Sequence, residues 1–129
     1  MKEDKFLNQI SQQETQVPVL FADENKGIFS ITGESFPEDC SNFYMPFLER
    51  IFNCIQNNER QILIEIKLSY YNTGTSKILM NFLKKIYNYC SEGKQITVKW
   101  YCDKNDLEII QDVEDFELVT GLEIEIITF

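Results

Sequence analysis

The groups best equipped for chemistry lie in one run, Tyr70-Tyr71-Asn72-Thr73-Gly74-Thr75-Ser76-Lys77. It places the hydroxyls of Thr73, Thr75 and Ser76 and the carboxamide of Asn72 beside one cation. Short polar side chains of this kind cap helices, because their oxygens accept from the unpaired N–H groups of a first turn. A helix start also carries a partial positive charge, so backbone donors would hold a phosphate formed on one of these hydroxyls. Such a phosphate would add about two negative charges to the surface. The plainer alternative is an ordinary cap whose hydroxyls only satisfy backbone donors.

Other reactive chemistry is poorly supplied. There is no histidine, so the usual general base near neutral pH and the commonest metal ligand are both missing. Glu34, Glu38 and Asp39 are close in sequence, but with Pro37 among them they make a poor cation site. The four cysteines, Cys40, Cys54, Cys90 and Cys102, include no C-x-x-C pair, which excludes the zinc-ribbon and thioredoxin patterns. Cys54 and Cys90 fall towards the ends of apolar helical patterns, where a thiol serves as a small hydrophobe. Free thiols, no metal and no cofactor are expected. No nucleophile–base pair and no glycine-rich phosphate loop suggests catalysis.

The elements that must position Tyr70–Lys77 are legible from periodicity. Gln61 to Leu68 is the clearest strand, with Ile62, Ile64, Ile66 and Leu68 on one side. The run therefore joins the end of a strand to the start of a helix, expected over Thr75–Cys90, whose apolar side holds Leu79, Phe82, Leu83, Ile86 and Cys90. In open α/β sheets this junction is where ligands and chemistry gather. Upstream, Val17–Ala22 and Ile28–Thr32 form a hairpin across the polar turn Asp23–Gly27. Gly33–Cys40 reads as a connector. A helix is expected over Ser41–Gln56, with Tyr44, Leu48, Ile51 and Ile55 on one face. Its cap is Ser41 or Asn42; the alternative is a capping box from Ser35 to Glu38 with a kink at Pro46.

Downstream, Gln95–Tyr101 is a strand in which Trp100 and Tyr101 read as core and sheet edge. Asp103–Val119 is an acidic helix with Ile110, Val113 and Phe116 inward and a solvated acidic face. Gly121 stops it, and Leu122–Phe129 alternates as a last strand. The order ββαβαβαβ predicts an α/β fold, a single mixed sheet of about five strands covered by helices, with right-handed crossovers between parallel neighbours. The order is similar to that of STAS-like domains.

Composition sets the frame. A hydrophobic fraction of 43%, with ten Phe and six Tyr, is enough apolar material for one core. Residues 1–16 are polar and read as a leader, leaving residues 17–129 as the domain. A net charge of −9 repels phosphate backbones and anionic bilayers, so neither nucleic acid nor membrane is an expected partner. No apolar run approaches the ~20 residues of a membrane span, and the first residues lack the apolar segment of a secretory signal. A cytoplasmic location is expected.

Three ordered blocks carry a family resemblance. The run Ile31-Thr32-Gly33-Glu34-Ser35-Phe36-Pro37-Glu38-Asp39, with Phe43-Tyr44-Met45-Pro46 after it, resembles the opening signature of the SiaC family. Tyr70 to Lys77 resembles its second, an aromatic-Asn-Thr/Ser block ending in Lys. Val98-Lys99-Trp100-Tyr101-Cys102-Asp103 is similar to its V-x-W-Y-x-D strand end. The resemblance implies a non-enzymatic regulatory phosphoprotein. In that family a dedicated kinase phosphorylates the Thr of the Asn-Thr block and a PP2C-type phosphatase reverses it. The unphosphorylated form binds and activates a diguanylate cyclase. Carried over, the phosphorylation site is Thr73, and the partner-binding residues are Tyr70, Tyr71, Asn72, Thr75, Ser76 and Lys77. Gly74 departs from the family's run of hydroxyl residues. The rival reading is a small ligand-binding domain or enzyme that uses the crevice at residues 70–77.

Overall fold

A computed structural model describes residues 17–129; the leader read over residues 1–16 lies outside the described residues. Strands β1 (Val19–Asp23) and β2 (Ile28–Ser35) form the hairpin. Helix α1 (Cys40–Asn57), strand β3 (Ile62–Tyr71), helix α2 (Thr73–Ser91), strand β4 (Ile96–Cys102), helix α3 (Leu107–Thr120) and strand β5 (Glu125–Thr128) follow. The five strands make one mixed sheet in sequence order. β1 is antiparallel to β2, and every other neighbouring pair is parallel.

Three successive parallel crossovers of one hand, each advancing by one strand, put all three helices on the same face. The core lies between that face and the helices. Phe29, Ile31, Ile64, Ile66 and Trp100 from the sheet meet Tyr44, Ile51, Leu79, Leu83, Ile86 and Val113 from the helices, and all are fully buried. The opposite face is solvated, which parallel sheets rarely allow. Its central strands carry a charge ladder, Glu65 pairing across to Lys99 and Lys99 to Glu125, while Val19 and Phe21 of β1 are exposed on the same face. Tyr101 adds a hydroxyl bond to Glu65 at 2.6 Å.

The helix starts differ from the expected ones, for capping reasons. α1 is capped by Asp39, whose carboxylate accepts from the Asn42 N–H, and not by Ser41, Asn42 or a Ser35–Glu38 box. Pro46 stays within α1 on its exposed side, where water can take the Asn42 carbonyl that proline leaves unpaired. α3 begins at Leu107 and not Asp103, because Asp103–Asp106 closes a turn and Asp106 caps the helix. The buried face of α3 accordingly holds Ile109, Val113, Phe116 and Thr120, while Ile110 is half-buried. Gly121 ends α3 at φ +79°, as its position suggested.

One irregularity decides what the end of β3 presents. Gly33 faces Leu68, yet Glu34 faces Tyr70, so Ser69 is an extra residue in β3. Gly33 takes φ +121°, a conformation open to glycine, at this bulge. The alternation of Ile62, Ile64, Ile66 and Leu68 would carry Tyr70 inward and Tyr71 outward. The bulge inverts the pair.

Candidate functional site

Strand β3 delivers the chain to Asn72, which has extended backbone and caps α2. The helix thus opens at Thr73, two residues before the expected Thr75. The Asn72 Oδ1 accepts from the Thr75 N–H at 2.8 Å, and its Nδ2 donates to the Pro37 carbonyl at 3.2 Å. Its own N–H donates to the Ser35 carbonyl at 3.0 Å. The cap is therefore tied to the end of β2 and to the connector before α1.

These bonds orient the Asn72 amide, and the orientation sets the direction of a buried hydroxyl chain. Asn72 Oδ1 can only accept, so the Thr75 hydroxyl donates to it at 2.7 Å. The Ser35 hydroxyl then donates to Thr75 Oγ1 at 2.8 Å, and the Tyr44 phenol donates to Ser35 Oγ at 2.5 Å. Burial raises the Tyr44 phenol from its ordinary 10.0 to about 12, with the Ser35 hydrogen bond acting the other way. The donor at the head of the chain is therefore protonated throughout the physiological range. The chain joins α1, β2 and α2 through groups that are all fully buried: Tyr44, Ser35 and Thr75. Spacing reads Ser35 as part of the connector or, alternatively, as the start of a capping box, and gives Tyr44 only a packing role. Nothing local marks either one, since Ser35 and Thr75 are 40 positions apart.

The expected site residues separate into two sets. Thr73 and Lys77 are exposed, and Lys77 lies one turn beyond Thr73 on the same side of α2. Asn72 and Ser76 are half-buried. Thr75, expected among the partner-facing residues, is instead 0% exposed and supports the cap from inside. The bulge turns Tyr70 outward, 61% exposed, with its ring stacked on Phe36 at 5.0 Å. Tyr71 turns inward against Trp100, and its hydroxyl donates to Asp112 at 2.7 Å. Burial and the Asp112 carboxylate together hold the Tyr71 phenol well above its ordinary range. Phe36 and Asp112 are further residues of this surface that periodicity does not reveal.

Beside Tyr71 is a recess of about 130 Å³ walled by Ser69, Tyr70, Asp106, Glu108 and Asp112. It is smaller than the roughly 300–1,000 Å³ typical of ligand pockets, and its acidic walls disfavour an anionic substrate. Among the described residues no group of three or more cysteine or acidic side chains is placed to hold a metal ion. None of the described helices is long and apolar enough to cross a membrane.

Fold and site together define a class: a single-sheet α/β domain, helices on one face, that presents a threonine at a tightly capped helix start. The chain belongs to the SiaC family; the profile described as SiaC family regulatory phosphoprotein matches residues 10–129. An uncharacterized protein of Pseudomonas aeruginosa strain UCBPP-PA14 is 21% identical over 99 residues, covering 77% of this chain and 79% of that one. The crystal structure of apo-SiaC from Pseudomonas aeruginosa superposes with a TM-score of 0.79 at 18% identity, over 88% of this chain and 93% of that one. SiaC in the crystal structure of the diguanylate cyclase SiaD with its activator SiaC, also from Pseudomonas aeruginosa, gives 0.84 at 19% identity, over 89% and 94%. At these identities the likeness speaks for the fold, and it agrees with the mixed sheet described above.

Proposed function

We propose that this chain is a non-enzymatic, cytoplasmic switch protein. It binds and controls a diguanylate cyclase when Thr73 is unmodified and releases it when Thr73 is phosphorylated. A protein kinase adds the phosphate and a PP2C-type phosphatase removes it. Membership of a family of regulatory phosphoproteins supports the class of function. The Pseudomonas aeruginosa SiaC, described as the activator of SiaD, supports the class of output partner. One observation carries the assignment of residue: of the three hydroxyls in the block, Thr73 is exposed, Ser76 half-buried and Thr75 fully buried.

The chemistry is local electrostatics. Thr73 is the first residue of α2, where the backbone N–H groups of Thr73 and Gly74 precede the first intrahelical bond. A phosphate there gains from these donors, from the helix dipole and from Lys77 one turn away. The fold therefore tolerates modification. A partner seated on Tyr70, Asn72, Thr73 and Ser76 does not, because a dianion would have to be desolvated in the contact.

The test is mass spectrometry of the protein from cells that make it, followed by binding of both forms to the diguanylate cyclase encoded in the same organism. Thr73→Ala is expected to bind and to escape regulation. Thr73→Asp is expected to weaken binding only partly, since one carboxylate carries less charge and fewer acceptors than a phosphate. Equal binding by phosphorylated and unmodified protein would refute the switch, and phosphate confined to Ser76 would move the residue.

A further inference from the structure

Gly74 occupies the first turn of α2 without a conformational reason. It is not among the glycines with positive φ, and glycine is the poorest helix former after proline. The reason is a close approach. A Cβ built on Gly74 would lie 2.7 Å from Cys40 Sγ, 3.6 Å from Cys40 Cβ and 3.8 Å from Asn72 Oδ1. The sulfur has little room to retreat. It sits 3.5 Å from Asn72 Oδ1, 3.5 Å from the Pro37 carbonyl and 3.7 Å from Thr75 Oγ1. Cys40 is itself the first residue of α1, so the starts of the two helices stand back to back on this contact.

We propose that Cys40 and Gly74 form a size-matched pair, and that the fit between them positions Thr73. The thiol fills the space that any side chain at position 74 would need, and it donates to Asn72 Oδ1, the acceptor that caps the helix start, at 3.5 Å. A side chain at 74 would push the thiol, the Asn72 amide or the first turn of α2 out of place. Thr73 lies between Asn72 and Gly74 and moves with them. This rests on Thr73 being the modified residue, although the pairing itself can be measured without phosphorylation.

The experiment has two arms. In the first, amide hydrogen exchange is followed at Thr75, whose N–H donates to Asn72 Oδ1. Gly74→Ala is expected to speed exchange there about tenfold, the size of losing a cap. Combining it with Cys40→Gly, which removes the sulfur, is expected to bring protection back to within about threefold of wild type. A double variant no better protected than Gly74→Ala alone would overturn the pairing. In the second arm, phosphate on Thr73 is quantified by mass spectrometry in cells that make the protein. Cys40→Ser, which keeps a small donor against Asn72, is expected to retain wild-type phosphorylation. Gly74→Ala is expected to lose at least half of it, and the double variant to recover it. Equal phosphorylation in all variants would overturn the positioning role. Absence of phosphate on wild-type Thr73 would refute the switch itself, while the exchange arm still decides the pair.

Discussion

The phenol of Tyr44 gives the buried hydroxyl chain a measurable handle. An unfolded chain ionises it near 10.0, whereas the folded protein holds it to about 12. The folded state therefore favours the neutral phenol. Its contribution to stability is complete below pH 10 and is lost as pH rises from 10 to 12. Two units of difference are worth on the order of 3 kcal/mol. Tyr71, also raised, adds to the fall in the same direction. Chemical denaturation between pH 8 and 12 is expected to show this decline, and Tyr44→Phe to flatten part of it. At neutral pH the same substitution removes the donor to the buried Ser35 oxygen and is expected to lower stability by about 1–2 kcal/mol. An unchanged alkaline slope in Tyr44→Phe would mean that burial does not hold the phenol neutral.

The three helix starts do unequal jobs. Asp39 and Asp106 act as simple caps, each accepting from the N–H three residues on. Asn72 does this and also takes the end of the hydroxyl chain and donates to Pro37. Asp39→Ala and Asp106→Ala are expected to lower stability by about 1 kcal/mol each. Asn72→Ala is expected to lower it by about 2–3 kcal/mol, because it also leaves the buried Thr75 hydroxyl with only the longer bond to the Ser35 carbonyl at 3.4 Å. Urea titration of the three variants provides the comparison, and equal losses would show that the chain contributes nothing beyond a cap. The bulge at Ser69 belongs to the same scale. One added residue exchanges the roles of the two tyrosines, and so separates an exposed aromatic surface from a buried tie to α3.

For the molecule as a whole, one apolar face supplies the stability and the other is left wet. Ile64 lies at 0% exposure in the central strand of that core. Ile64→Ala is expected to lower stability by about 2–5 kcal/mol, read as a fall in the urea midpoint. The four cysteines are free, with Cys54 and Cys102 buried and Cys40 and Cys90 half-buried. Burial pushes the Cys90 and Cys102 thiols up, so both are neutral and poorly nucleophilic at pH 7. The purified protein is expected to migrate identically with and without reductant and to release all four thiols to a thiol reagent only on denaturation. A mobility shift on reduction would contradict the unpaired arrangement.

The sequence by itself determined the element order, the mixed sheet, the inward faces of β3, α1 and α2, the stop at Gly121 and the placing of Thr73 at a strand-to-helix junction. These follow from the periods of strand and helix and from the chemistry of caps, all of which act within a few residues. Only the tertiary structure decided which of several capping candidates won. Asp39 displaced Ser41 and Asn42, and Asp106 moved the start of α3 and brought Ile109 to its buried face. Only the tertiary structure buried Thr75, enlisted Ser35 and Tyr44, turned Tyr70 out and set Cys40 against Gly74. Each of these outcomes depends on an atom far away in the chain or on a bulge that resets alternation. Local spacing carries no record of either, because it fixes the face on which a side chain lies and not what that face meets.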